Sequence, residues 1–468
     1  MGNEEDFNRD YSEEIQRFEK SLIGEDIGYM DSETFEFIID HYLSIDDYKK
    51  ASLCSDMALR FYPSHSNFFL KKALILSYED QFIEALKILS NVESLETYNI
   101  EFYITKALIY FEMDKNQTAI DLINNALCLF DAEEQEDLII FLADTLYLYN
   151  EMEDALIYYY KSIQLSPKNQ ISLSGILTCC TILNRFEEGI AFFTNYIDEY
   201  PYSEFAWSSL ADMYRNIEDY EKAIWALEFC LAINDKDINA LYKVAFVYMC
   251  NQQYDKAIEY FNEYYEKVDY VYENDYCQLA ECYEQLADYG KAKEFYHKAL
   301  QKNIDYSDAW LGLGVVFDLE GNTQKGIEFV EKALLIDSSR SDFYHILATF
   351  YDKLDEIEKA NDAFEKAMSL SNNNDEAFID YFEFFMNRFG YKLLEDKIDE
   401  INIHEDIAYI KDFVFFRSLI KRLEYEKAEA YLEYLCQQYP SYINLLIDFY
   451  PDLEEITPIV SLIKQYKQ

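Results

Sequence analysis

A small residue returns at almost every thirty-fourth position of this chain: Ala51, Ala85, Ala119, Ala155, Gly189, Ala223, Ala257, Ala292, Gly326, Ala360, then a bulky Leu394, then Ala428. Alanine and glycine make up fewer than one residue in ten, so eleven returns in twelve are not chance. A fixed period between 20 and 50 residues marks one supersecondary unit stacked many times. Each unit then buries its apolar face against its neighbours, and one elongated domain is expected rather than the three that 468 residues would otherwise suggest.

With the small residue set at position 20, the units begin near residues 32, 66, 100, 136, 170, 204, 238, 273, 307, 341, 375 and 409. Apolar residues recur at positions 4, 7, 8 and 11, and again at 20, 24 and 27, which is the spacing of one helical face. Two amphipathic helices per unit follow. Proline supports the same reading, because Pro63, Pro167, Pro201 and Pro440 all fall at position 32, where a helix ends and a missing N–H does no harm.

These residues spell a known pattern. Trp310, Leu313, Gly314, Phe317, Gly326, Val330 and Ala333 fill the ninth unit, Trp207, Leu210, Ala211, Tyr214, Ala223 and Leu227 the sixth, and Tyr344, Leu347, Ala348, Tyr351, Ala360, Phe364 and Ala367 the tenth. The spacing resembles the tetratricopeptide repeat, about twelve copies over residues 32–442. The resemblance implies an all-α fold, an α-solenoid in which helix-turn-helix units stack into a right-handed superhelix with capping helices at its ends. Small residues at positions 8, 20 and 27 let two helices approach, and aromatics at 4, 11 and 24 fill the space between.

Three regions stand apart. Residues 1–31 form an acidic N-terminal segment, in which Ile15, Phe18 and Leu22 make one stripe of a short helix, either a cap on the first repeat or an arm for another chain's groove. In the eleventh unit Phe382 and Leu394 replace small residues, so its second helix is expected to be displaced around Gly390 to Ile403. Residues 443–468 should supply C-terminal capping helices, with Thr457 and Pro458 opening one that ends in Lys464 and Lys467.

Charge narrows the partners. Ninety acidic residues against 40 basic ones leave a net charge of -50, which repels nucleic acid and anionic membrane surfaces. The N-terminus carries no apolar signal stretch, and the longest apolar runs fall far short of a bilayer span. Nine dispersed cysteines fit reduced thiols packed as small hydrophobes. A cytoplasmic location is the expectation.

Chemistry is harder to find. Gly312 and Gly314 form a G-x-G inside a predicted helix without a third glycine, and Asp235, Asp237 and Asn239 imitate a calcium loop but are followed by Ala240 where it needs glycine. Neither Cys277 with Cys282 nor Cys179 with Cys180 has zinc-ligand spacing. No enzyme activity, cofactor or metal is therefore expected.

In proteins of the resembled family, positions 2, 5, 6, 9, 12 and 13 line a concave groove that holds an extended peptide or a partner's helix. Over the first eleven units those positions carry about 17 acidic residues and four basic ones, Lys71, Arg215, Lys243 and Lys353. His345 also falls there. The candidate contact patch is mid-array: Arg215, Asn216, Asn239, Tyr242, Lys243, Phe246, Gln278, Glu281 and Glu284. Amides pair with extended backbone, aromatics bury apolar anchors and carboxylates select basic side chains. The expected function is a non-enzymatic scaffold or adaptor holding a protein or peptide, a basic one among the options. The alternative is an acidic chaperone or assembly factor that shields a basic or aggregation-prone client, and steep weakening by salt would mark it.

Overall fold

Short polar side chains set many of the helix starts. Asp31 accepts from the Thr34 N–H at 2.9 Å, Asn169 from Ser172 at 2.9 Å, and Asp237 from Asn239 and Ala240 at 2.9 and 3.1 Å. Each satisfies a donor that the first helical turn would leave orphaned. The computed structural model describes residues 12–22, 28–371, 375–400, 407–440, 442–443, 445–456 and 459. Among these residues every regular element is helical.

The chain divides into two compact units, Met1–Ile233 and Asn234–Gln468. In the first, α1 (Ser12–Leu22) is followed by six helix pairs: α2 (Ser32–Ser44) and α3 (Tyr48–Phe61), α4 (Ser66–Tyr78) and α5 (Phe82–Val92), α6 (Ile100–Glu112) and α7 (Asn116–Ala126), α8 (Ala132–Leu148) and α9 (Met152–Leu165), α10 (Gln170–Ile182) and α11 (Phe186–Glu199), α12 (Glu204–Asn216) and α13 (Tyr220–Ile233). The second holds α14 (Ile238–Cys250) and α15 (Tyr254–Lys267), α16 (Glu273–Gln285) and α17 (Tyr289–Lys302), α18 (Ser307–Leu319) and α19 (Thr323–Ile336), α20 (Ser341–Lys353) and α21 (Ile357–Leu370), α22 (Asp375–Phe389) and α23 (Tyr391–Glu400), α24 (Tyr409–Lys421) and α25 (Tyr425–Gln438), and a short α26 (Leu445–Phe449). This is an α-solenoid architecture of consecutive helical pairs.

Helix α8 starts at Ala132, four residues before position 1 of its unit. A capping box explains the early start: Asp131 accepts from the Glu134 N–H at 3.1 Å, and the Glu134 carboxylate accepts from the Asp131 N–H. The four position-32 prolines each stand two residues past a helix end.

Every small residue of the thirty-four-residue series is buried, as is Leu394. The contact is tightest between α18 and α19. A Cβ added at Gly314 would lie 2.8 Å from Val330 Cγ2 and 3.0 Å from the Gly326 carbonyl oxygen, and one added at Gly326 would lie 2.8 Å from the Gly314 carbonyl oxygen. The G-x-G of Gly312 and Gly314 is thus a packing feature. Gly314→Val should lower unfolding stability by about 1–3 kcal/mol, since backbone cannot yield to the added methyls; urea unfolding indistinguishable from the parent protein would refute that contact.

Within each pair the chain turns through one left-handed residue. Asp46, Asp80, Asp114, Asn150, Asn184, Glu218, Gln252, Ala287, Gly321, Asp355 and Leu423 have φ between 54° and 83°. The following N–H reaches back five residues, as from Asp47 to the Tyr42 carbonyl at 2.9 Å and from Glu424 to Leu419 at 3.0 Å. This is the Schellman closure of a helix.

The eleventh pair departs. Its first helix runs 15 residues to Phe389, a single Gly390 at φ 89° makes the turn, and α23 follows at once. Phe382 and Leu394 are fully buried where neighbouring pairs carry small residues. Two bulky side chains at the crossing hold the helices apart, and the wide aromatic cluster of Phe378, Tyr381, Phe382, Phe413 and Phe416 fills the space. Residues 401–403 of the expected displacement lie outside the described residues, as do Thr457, Pro458, Lys464 and Lys467.

At the N-terminal end α1 lies against α2. Phe18 is fully buried and its ring is 5.7 Å from that of Tyr42. Ile15 packs beside it, whereas Leu22 is 38% exposed and adds little to the stripe.

Seven of the nine cysteines are buried and none forms a disulfide. Burial pushes the Cys54 and Cys277 thiols up, which leaves them as small hydrophobes.

Candidate partner-binding face

First helices of successive repeats lie side by side within a unit: α2, α4, α6 and α8 in sequence, then α8 with α10 and α10 with α12, and in the second unit α16 with α18. Within each unit they make a wall, and the second helices pack behind it.

Of the nine candidate residues, Arg215 and Asn216 close α12 in the first unit, both half-buried, and the Asn216 amide donates to its own helix at the Asp212 carbonyl, 2.8 Å away. The other seven belong to the second unit. Asn239 is exposed at the start of α14, and Lys243 and Phe246 are half-buried further along it. Tyr242, Phe246 and Gln278 are brought together: the Tyr242 and Phe246 rings stack with centroids 6.5 Å apart, and Gln278 Nε2 donates to the Tyr242 hydroxyl at 2.8 Å. Burial pushes the Tyr242 hydroxyl up. The Gln278 side chain is nine-tenths buried, and its Oε1 has no hydrogen-bond donor.

Glu281 and Glu284 continue the same face of α16. Glu281 keeps an exposed edge, but desolvation of its carboxyl against the wall, and then Asp308, raises it above the usual range. Glu284 is half-buried and is pushed up to about 7, mainly by burial and further by Glu281, while the Tyr296 hydroxyl, donating to Glu284 Oε2 at 3.0 Å, opposes the shift. Ionised carboxylates held this way lack the solvation they had in water and favour a cation.

Two basic residues of the wall are already neutralised. Lys71 pairs with Asp40 and Lys353 with Asp318. His345 Nε2 lies 2.8 Å from Asp380 Oδ2.

A hollow in the first unit was not legible from charge or motif. Asp144, Tyr147 and Leu148 of α8, Tyr159 of α9, and Gln170, Ile171, Ser174, Gly175 and Thr178 of α10 line an open hollow of about 560 Å³. Most of these occupy groove positions. Leu148 is 79% exposed and Ile171 55% exposed on its rim, and the Tyr159 hydroxyl donates to Asp144 Oδ1 at 2.7 Å. The one available signal was Gly175, a glycine in mid-helix, where it costs about 1 kcal/mol against alanine and so has a reason.

Among the described residues no helix is long and apolar enough to cross a membrane, and no group of three or more histidine, cysteine, aspartate or glutamate side chains could hold a metal ion.

A family model of the tetratricopeptide repeat matches residues 276–301 and 341–374. The matched segments support a tetratricopeptide-repeat protein. It is 29% identical over 122 residues to the general transcriptional corepressor trfA of Dictyostelium discoideum, which covers 26% of this chain and 9% of that protein. It is 23% identical over 306 residues to a TPR repeat-containing protein of Methanocaldococcus jannaschii, 61% of this chain and 53% of that one. The chain thus spans less than two thirds of either relative. Among solved structures, a tetratricopeptide repeat protein from Parabacteroides merdae aligns with a TM-score of 0.45 at 16% identity, covering 54% of this chain and 99% of that one. Tetratricopeptide-repeat proteins are generally interaction scaffolds rather than enzymes, and the fold suggests protein or peptide partners.

Proposed function

We propose that this tetratricopeptide-repeat protein is a non-enzymatic adaptor of the cytoplasm, whose array over residues 32–442 holds an extended segment or helix of a partner protein on the wall of first helices. The contact patch comprises Asn239, Tyr242, Lys243, Phe246, Gln278, Glu281 and Glu284 of the second unit; Arg215 and Asn216, on α12 of the first unit, are proposed as partner contacts of that unit. The observation that carries this reading is Gln278: a nine-tenths buried amide whose carbonyl oxygen lacks a donor, next to an aromatic pair and two carboxylates with raised affinity for protons. An unsatisfied buried acceptor costs about 1–3 kcal/mol, which a donor from a bound segment would recover. Acidic side chains beside it favour a basic partner over an acidic one.

Tyr242→Ala combined with Lys243→Ala removes the ring and the cation from this patch. The immobilised wild-type chain should retain a partner from its native lysate that the double variant loses, with the helical circular dichroism and melting of both compared. Equal retention by the two folded proteins would sink the assignment.

A further inference from the structure

Tyrosine occupies position 24 in only two of the twelve units, at Tyr159 and Tyr296, and glycine occupies position 6 in only two, at Gly175 and Gly312. In both cases the glycine is in the unit immediately after the tyrosine. The structure gives the reason. A Cβ on Gly175 would lie 2.4 Å from the Tyr159 ring, and one on Gly312 would lie 2.2 Å from the Tyr296 ring. Each glycine opens a gap through which a phenol from the second helix reaches the wall of first helices. There each hydroxyl donates to a carboxylate on its own unit's first helix, Tyr159 to Asp144 at 2.7 Å and Tyr296 to Glu284 at 3.0 Å. Neither carboxylate has an ion-pair partner among the described residues, although these residues form many other ion pairs. The phenol thus fixes an anion in position and leaves its charge unmatched.

In the first unit this arrangement opens onto the 560 Å³ hollow, whose only charged lining residue is Asp144 and whose rim is the exposed Leu148 and Ile171. We propose that this hollow seats one arginine or lysine side chain of a partner polypeptide, its aliphatic stem on Leu148 and Ile171 and its charged head on Asp144. The match is chemical. A basic side chain is an apolar stem with a cationic tip, and such side chains bury the stem while the tip finds an anion or water. Tyr147 also lines the hollow, and an aromatic ring is a favourable neighbour for a guanidinium. Tyr159 acts as a positioning residue: its donated hydrogen bond holds Asp144 by Oδ1 and leaves Oδ2 for the incoming cation. The inference rests on the reading of the first-helix wall as the binding face but names a second place on it and the side chain it selects.

The test uses the full chain and fluorescein-labelled peptides bearing a single arginine flanked by leucines, against the same peptides with citrulline, its neutral isostere. At physiological salt, where unfocused attraction by the net charge is screened, anisotropy should show the arginine peptide binding about tenfold tighter or more, as a charge-assisted hydrogen bond supplies. Asp144→Asn should abolish that preference, Tyr159→Phe should reduce it severalfold, and Asp154→Asn, an exposed acid on the adjacent α9, should leave it intact. Equal binding of the two peptides, no binding of either, or a preference that survives in Asp144→Asn would overturn the proposal. A preference lost only in Glu281→Gln or Glu284→Gln would overturn this seat and leave the wall itself as the binding face, which separates its failure from that of the adaptor reading.

Discussion

Glu284→Gln should unfold at higher denaturant than the parent protein at pH 8.5 and at the same denaturant at pH 4. The folded carboxyl holds its proton up to about pH 7 because burial disfavours its charge, whereas in the unfolded chain it releases that proton near the ordinary glutamate value of 4.5. A carboxyl with a raised folded value contributes its full stability below the unfolded value and loses it as pH rises towards the folded one. The penalty therefore grows between about pH 4.5 and 7 and is complete above that window. A shift of this size corresponds to about 3 kcal/mol if solvent took no part; because Glu284 is only half-buried, about 1–3 kcal/mol is expected. Glutamine keeps a carbonyl to accept from Tyr296 and removes only the titration. Parallel stability curves for the two proteins from pH 4 to 9 would show that Glu284 carries no such strain. The same measurement bears on function, since a bound cation would relieve the penalty that glutamine removes.

The second large effect lies at the end of the second unit. The Arg417 side chain is 8% exposed, with Nε donating to Glu383 Oε1 at 3.0 Å and Nη1 to Asp452 Oδ2 at 2.8 Å. Its guanidinium lies 4.7 Å from the centre of the Tyr450 ring. Arg417 thus ties α22, α24 and the 3₁₀ turn Pro451–Glu455 together. Arg417→Ala should cost about 2–4 kcal/mol, somewhat under a fully buried pair because Asp452 is half exposed. The loss comes from leaving Glu383 desolvated without its cation and from uncovering Tyr450. Arg417→Lys should recover only part of it, since an ammonium cannot reproduce a planar fork that reaches two carboxylates. Urea unfolding of the three proteins measures both steps, and an alanine variant within 0.5 kcal/mol of the parent would remove Arg417 from the account.

Much of the packing was legible because steric demands repeat. Where two helices cross closely, a side chain larger than alanine collides with backbone, as at Gly314 and Gly326, so the small-residue series had to appear in the sequence. The prolines were legible for the same kind of local reason. The left-handed turn residue recurs with the same period but went unread, because Gly321 is the only glycine among the eleven positions; aspartate, asparagine and even Leu423 adopt φ > 0 there, held by two backbone hydrogen bonds whose benefit exceeds a strain of about 1–2 kcal/mol.

The candidate site was legible only in part. Position numbers placed Tyr242, Gln278 and Glu284 on first helices, but not that Gln278 would donate to Tyr242 across 36 residues or that Glu284 would share a hydrogen with Tyr296. The Tyr159 and Gly175 pair was equally hidden, since each looks like ordinary packing variation until the ring is seen standing where a Cβ would be.

The sequence by itself determined the helical pairs, their repeat and the residues at each crossing, because periodic burial and steric exclusion act within a unit and between neighbours in the chain. Only the tertiary structure decided which carboxylates gained a phenol, which amide lost its donor and where a hollow opened. Those outcomes depend on side chains from different helices meeting within about 3 Å, a distance at which hydrogen bonds form or fail and which periodicity along the chain does not encode.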